Sequence, residues 1–270
     1  MKVLLTNDDG IQASGINAMR RALLGVPGIE LTVIAPNGNR SAIGRGITTR
    51  EPLWIEEVEF EDGSRGFATD GTPVDCVRFA TRGLTDYPEL IVSGINHGTN
   101  LGDDITYSGT VAAALEGIVL GMPAIAVSQQ AIGGEMDFRA GYRYDFDKGA
   151  AFVARMVEEL EDVPVPEGTL LNVNVPWRDP KGARVCRLGK REYHDRLELV
   201  HEDEDGRRQY RIYGLEPGYQ EEEGTDFEAI GSELIAVTPL HFDLTHRTGI
   251  EQLGDFDLDR LLRPAAQEVE

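Results

Sequence analysis

The sequence predicts an α/β protein: a mostly parallel sheet flanked by helices, with an appended strand-rich C-terminal region. Three observations carry this. Short apolar runs alternate with segments whose apolar residues recur every three or four positions, the pattern of βαβ units. The first run, Val3–Leu5 of KVLLTNDDGI, passes through a turn straight into Ile16, Met19 and Leu23 at helical spacing. After Pro176 the alternation stops, and strand-like runs follow one another across acidic loops. Residues 1–176 are therefore expected to form the core, and residues 177–270 an extension that partly returns to it.

In chain order, Val3–Leu5 reads as a buried strand and Asn7-Asp8-Asp9-Gly10 as the turn at its end. Asp-Gly after an apolar run is also a hairpin signal, so the turn alone proves nothing about chemistry. Glu30–Ala35 is the second strand, and Pro36–Gly46, with Asn39-Arg40-Ser41 at its centre, is a loop. Ile47–Phe60 holds extended pieces and runs into the acidic patch Glu56–Asp62. In Gly71-Thr72-Pro73, proline suits the first helical position and Thr72 the cap, with Val74, Val77 and Phe79–Ala80 continuing the helix. Glu89–Ser93 is a buried strand that opens into a long loop, Gly94–Gly109. Loops of that length are usually functional or disordered. Helices are expected at Thr110–Leu120 and Asp145–Leu160, and strands at Pro123–Ser128 and Leu170–Val175. In the extension, Ala183–Leu188, Gln209–Tyr213 and Leu234–Thr238 read as strands without crossover helices, which predicts antiparallel pairing. His201–Asp205 and Glu221–Glu223 are acidic loops, Asp255–Leu262 a short last helix, and Pro264–Glu270 a frayed end.

The formal net charge is −21, from 47 acidic and 26 basic residues. Such a field repels nucleic acid and anionic membranes, which are excluded as partners. Lysine occurs only at 2, 148, 181 and 190. Acidic surplus with scarce lysine suggests adaptation to a very salty cytoplasm, as in a halophile; an ordinary acidic enzyme is the alternative. Cys76 and Cys186 sit in no C-x-x-C pattern and read as reduced, packed thiols. Neither a signal peptide nor a membrane span is evident, so a cytoplasmic protein is expected.

Three loops after expected parallel strands carry the chemistry: Asn7–Gly10, Asn39–Ser41 and Ser93–Gly109. Two adjacent carboxylates at a strand end make a hard oxygen site suited to Mg²⁺ or Mn²⁺. Gly94, Gly98, Gly102 and Gly109 let backbone approach a ligand. Ser108-Gly109-Thr110 opens a helix, whose free N–H groups suit phosphate. Metal and phosphate sites side by side suggest metal-assisted phosphoryl transfer or hydrolysis.

At this point the chain resembles the SurE survival-protein nucleotidases. The resemblance rests on TNDDGI at Thr6–Ile11, NRS at Asn39–Ser41, GTPVDCV at Gly71–Val77 and SGIN-x-G-x-N-x-G at Ser93–Gly102. It continues in YSGTVAAALEG at Tyr107–Gly117, LNVNVP at Leu171–Pro176, GTDF at Gly224–Phe227 and VTPLHFDLT at Val237–Thr245. The matches keep order and cover most of Met1–His246; around Glu198–Arg208 and after Arg247 little matches. The resemblance implies a Rossmann-like core and one divalent metal per subunit, Mg²⁺ or Mn²⁺, held by Asp8, Asp9, Ser41 and Asn96. It implies phosphate contacts from Asn100 and the Ser108, Gly109, Thr110 turn, with a nucleoside monophosphate as substrate. It also implies a homo-oligomer, dimer or tetramer, whose subunits exchange C-terminal arms.

The expected activity is metal-dependent hydrolysis of the phosphate ester, 5′ and possibly 3′, with Asp8 and Asp9 catalytic. Either carboxylate takes the proton of an attacking water, or Asp8 attacks directly to give an aspartyl-phosphate. Alternatives are a phosphatase of sugar phosphates or short polyphosphate, and a non-catalytic nucleotide sensor. A dinucleotide-binding dehydrogenase is disfavoured, because no G-x-G-x-x-G follows the first strand. Tyr107 is a candidate to stack on the base, or else packs on its own loop. His97 is either a substrate contact or a solvent-facing loop residue, and His241 either reaches the site or is a core histidine; His194 and His201 read as surface groups.

Overall fold

The alternating apolar runs become the middle of one nine-stranded sheet in the computed structural model, which describes residues 1–136, 141–194, 196–212 and 218–262. The first part of the chain supplies β1 (Lys2–Thr6), α1 (Ser14–Leu24), β2 (Glu30–Pro36), β3 (Ile55–Glu59), β4 (Arg65–Thr69) and α2 (Pro73–Phe79). Next come β5 (Leu90–His97), α3 (Gly109–Val119), β6 (Ala124–Gln129), α4 (Asp147–Glu158) and β7 (Thr169–Val175). The remainder gives β8 (Ala183–Val185), β9 (Arg191–Glu192), β10 (Glu198–Glu202), β11 (Arg208–Arg211), β12 (Gly218–Tyr219), α5 (Asp226–Gly231), β13 (Ile235–His241) and α6 (Arg247–Gly254).

The sheet runs β3-β4-β2-β1-β5-β6-β7-β13-β8. Its six strands from β4 to β7 are parallel, β3 lies antiparallel on β4, and β13 lies antiparallel on β7. Side chains alternate across a strand. Val3 and Leu5 of β1 accordingly join Ile16, Met19 and Leu23 of α1 and Val153 of α4 on one face. Leu4 joins Val77 of α2 and Val111 of α3 on the other. Burial on both faces is why the strand reads as one apolar run. Thr72 accepts from Asp75 N–H while Asp75 accepts from Thr72 N–H, so the expected cap of α2 is a full capping box, worth about 1 kcal/mol.

From β1 the chain goes to β2 and β4 on one side, then crosses to β5 on the other. The carboxyl ends of β1 and β5 thus border the switch point at which open α/β sheets bind ligands.

Several elements differ from expectation. β5 continues through Gly94–His97, with a register shift against β6 between Ser93 and Asn96. Glycine and asparagine there look like loop, yet the backbone stays in the ladder. β4 escaped notice because Gly66 interrupts its apolar pattern. The strand-rich region is present, but β8 runs parallel to β13, and a helix, α5, precedes β13. Six residues are too few for periodicity to reveal α5; its signal is Thr225, which caps it by accepting Glu228 N–H. The supposed acidic loop at His201 lies partly in the β10–β11 hairpin. Among the described residues the last α-helix is α6, and Leu258–Leu262 holds a 3-10 turn. Tyr213 and Pro264–Glu270 lie outside the described residues. Among the described residues no helix is long and apolar enough to cross a membrane.

Candidate active site

The turn after β1 is locked by Asn7, whose side chain accepts from Gly10 N–H at 3.2 Å and donates to Gly10 C=O at 3.0 Å. That leaves Asp8 and Asp9 at the switch point. Asp8 is buried against the start of α3: Thr110 N–H donates to Oδ2 at 3.1 Å and the Thr110 hydroxyl to Oδ1 at 2.6 Å. Gly109 makes this approach possible, since a Cβ there would lie 2.8 Å from the Asp8 Cβ. Burial, and next the charge of Asp9, push the Asp8 carboxyl up to about 6, against the lowering effect of the two Thr110 bonds.

Asp9 is held from β5. Its Oδ2 accepts the His97 backbone N–H at 3.0 Å and lies 2.8 Å from His97 Nδ1. His97 Nε2 meets the Ser14 hydroxyl at 3.0 Å, and its ring sits edge-on to Tyr144 and Phe146, with centroids 5.1 and 5.0 Å away. His97 is therefore not a solvent-facing loop residue but a brace for Asp9, clamped by α1 and an aromatic pair. His241 reaches neither site nor core: it is exposed, opposite Thr169 at the start of β7, at the other end of the parallel strands.

The chain neighbours of Ser41 and Asn96, Arg40 and His97, are tied to the same turn. Arg40 N–H donates to the Asp8 carbonyl at 2.6 Å, docking the Asn39–Ser41 loop on the turn, and Ser41 N–H is held by Asn39 Oδ1 at 2.7 Å. The Arg40 guanidinium fastens that loop to Asn37 Oδ1 and the Asp70 carbonyl, both at 3.1 Å. Sequence reasoning gave Arg40 no role, though it stands inside the NRS motif. Asn96 is buried beside His97 on β5 and donates to Gly98 C=O at 2.8 Å.

The expected phosphate contacts divide. Ser108 caps α3 by accepting Val111 N–H at 3.1 Å, and Tyr107 next to it is 55% exposed. Asn100 is buried in an amide network, donating from Nδ2 to the Ser128 hydroxyl at 2.7 Å and from its backbone N–H to Asn174 Oδ1 at 2.8 Å.

Two carboxylates meet here with no arginine or lysine ion pair to either among the described residues. Asp8, Asp9, Ser41 and Asn96 offer oxygen donors only, two of them carboxylates, a chemistry that fits a hard dication. Two carboxylates completed by hydroxyl and amide oxygens are not a cluster of three or more His, Cys, Asp or Glu, and none of that kind occurs among the described residues.

A mostly parallel sheet covered by helices on both faces, with two carboxylates at its switch point, defines an α/β protein of the class that binds ligands at its strand ends. The family model for Survival protein SurE matches residues 3–195, and the chain belongs to that family. A 5′-nucleotidase SurE of Rubrobacter xylanophilus is 49% identical over 270 residues, covering 97% of this chain and 99% of the relative. Its counterpart in Geobacter sulfurreducens is 42% identical, covering 99% and 98%. The crystal structure of a SurE protein from Aquifex aeolicus aligns with TM-score 0.78 at 37% identity, covering 97% of this chain and all of that one.

Proposed function

We infer that this protein is a 5′-nucleotidase, which hydrolyses the phosphate monoester of nucleoside monophosphates to nucleoside and phosphate. The observation that carries the reading is the Asp8–Asp9 pair set against the start of α3, in a chain whose near-full-length relatives bear that name. Asp8, Asp9, Ser41 and Asn96 would hold one divalent metal, Mg²⁺ or Mn²⁺. When bound, it supplies Lewis-acid stabilisation of the phosphoryl charge.

The chain's own residues do the rest. Thr110 fixes Asp8 and His97 fixes Asp9, so neither carboxylate needs to reorganise during reaction. One of them accepts the proton of the attacking water. Because Thr110 already gives both its N–H and its hydroxyl to Asp8, the phosphate is assigned to the Ser108–Gly109 start of the turn with the second Asn100 Nδ2 hydrogen, and the exposed Tyr107 ring offers a face to the base. No observation favours a sugar phosphate, a polyphosphate or a sensor role.

The subunit is read as part of a homo-oligomer, at least a dimer. Supporting this, Ile250, Leu253, Leu261 and Leu262 beyond β13 are 60% to 84% exposed, a pattern suited to an arm laid on a second copy. Both cysteines are free and buried, in keeping with a reducing cytoplasm. Phosphate release from adenosine monophosphate, with and without chelator, tests the central reading. Manganese-dependent release that chelator abolishes is expected; no release from any nucleoside monophosphate with Mn²⁺ would overturn it.

A further inference from the structure

The GTDF motif, Gly224–Phe227, takes no part in the chemistry above, yet it is tied to Gly102, in the segment that leads to the site. Asp226 is fully buried. Its Oδ2 accepts Gly102 N–H at 2.8 Å, and its Oδ1 accepts Gly189 N–H at 2.8 Å and its neighbour Phe227 N–H at 3.0 Å. Phe227 presses on the same two glycines: a Cβ at Gly102 or at Gly189 would lie 2.6 Å from its ring. Gly102 also takes φ +52°, which a side chain disfavours.

A second tie runs parallel to the first. The Arg191 guanidinium lies over the Phe227 ring, 4.8 Å from its centroid, and Arg191 Nε donates to buried Asp104 Oδ2 at 2.7 Å. Arg191 backbone N–H donates to Asp103 Oδ2 at 3.1 Å, and the Tyr193 hydroxyl to Asp104 Oδ1 at 2.8 Å. Gly102, Asp103 and Asp104 are thus gripped in succession by residues that follow β8. They open the 3-10 turn Gly102–Thr106, which leads directly into Tyr107 and the Ser108–Thr110 turn; Tyr107 N–H donates to the Asp104 carbonyl at 3.0 Å. Burying a carboxylate and an ion pair is costly, and apolar packing would serve stability as well. What the polar ties add is a fixed position for backbone.

We propose that Asp226 and Arg191 are positioning residues for substrate: through Gly102 and Asp104 they set the place of the Tyr107–Thr110 segment, so that phosphate affinity depends on the C-terminal region. The proposal rests on the reading that this segment binds phosphate. A misplacement of about 1 Å can cost 10²-fold.

The test is calorimetric binding of inorganic phosphate to the Mn²⁺-loaded protein, with KM and kcat for adenosine monophosphate and a separate Mn²⁺ titration. Asp226→Asn turns an N–H acceptor into a donor facing an N–H. It should weaken phosphate binding and raise KM by about 10-fold, with Mn²⁺ affinity within about twofold of wild type. Tyr193→Phe removes one bond and no ring volume, and should shift the same constants by about 3-fold. Should Asp226→Asn fail to fold, Tyr193→Phe decides by the same measurements. If Ser108→Ala weakens phosphate binding while both C-terminal variants bind like wild type, positioning is overturned and the phosphate reading stands. If Ser108→Ala itself binds phosphate like wild type, the phosphate reading fails and the proposal with it.

Discussion

Around the ends of β1 and β5, functional groups are held by neighbours from other elements: Asp8 by α3, Asp9 by β5, and the Ser41 loop by the Asp8 backbone. Beyond β13 the balance reverses. Leu244, Leu258 and Leu262 are 56% to 85% exposed, and α6 has no buried residue. At the strand ends the ties run between segments of one chain, whereas the arm carries apolar surface that stays exposed among the described residues. Local precision at a site comes from polar ties between distant segments. Apolar side chains left in solvent supply a surface of the kind the proposed self-association would use.

The sharpest way to break the contrast is to remove a charge from the carboxylate pair at the strand ends. Asp9→Asn should lower kcat by more than about 10³-fold while leaving the fold intact, because it removes a charge proposed to hold the metal and no core volume. Near-wild-type turnover at saturating Mn²⁺ would remove Asp9 from the essential set. His97→Ala should cost about 10- to 100-fold in kcat or metal affinity, the usual penalty for losing the group that orients a ligand. If it costs less than twofold in both, Asp9 needs no brace.

How much of this was legible beforehand depends on how many chain segments a role requires. Asp8 and Asp9 stood out because one turn after one strand presents both. Ser41 and Asn96 enter as candidates only through the resemblance to the SurE family, which the NRS and SGIN motifs carry. His97 was left open, since its bonds to Asp9 and Ser14 and its packing on Tyr144 and Phe146 gather four stretches no spacing rule connects. The ties of Asp226 to Gly102 and Gly189 were hidden likewise, spanning 124 and 37 positions. Long periodic segments gave the sheet and its main helices; short pieces such as β4 and α5 carry too few residues for a period to register.

Deleting residues 247–270 tests the arm. The full chain should scatter light with at least twice its 29.7 kDa, and the deletion should fall to the monomer while still binding Mn²⁺. A monomeric full chain at micromolar concentration and high salt would show that the exposed leucines serve something other than self-association.

Asp8 gives a test with a defined sign. Its folded pKa, about 6, lies above the ordinary 3.8, so the metal-free native state holds the proton that the unfolded chain has released. Stability should therefore fall as pH rises from about 4 to 6, by up to about 3 kcal/mol, and stay low above that. Asp8→Asn should remove this fall, leaving the metal-free protein more stable than wild type at pH 7. Denaturant unfolding with chelator at pH 4.5 and 7, in both proteins, reads it. Parallel pH profiles would mean that the carboxylate carries no such strain.

The smallest expected effect concerns the surface outside both regions. A compact chain of charge −21 repels itself, and at low salt that repulsion is long-ranged. Arginines answer part of it: Arg65 pairs with Glu57, Arg187 with Glu222, Arg208 with Glu202 and Arg211 with Glu198, at 2.6 to 2.9 Å. These pairs are exposed, worth about 0 to 1 kcal/mol each, and salt weakens them too. Screening thus acts in opposite directions on the two terms. Because acidic residues outnumber basic ones 47 to 26, repulsion is the larger, and its relief should dominate. The melting temperature of the metal-free protein should rise by a few degrees, about 1 to 2 kcal/mol, between dilute buffer and molar KCl. A flat or falling profile would mean that arginine pairing already offsets the repulsion, and that the acidity serves solubility and not life in concentrated salt.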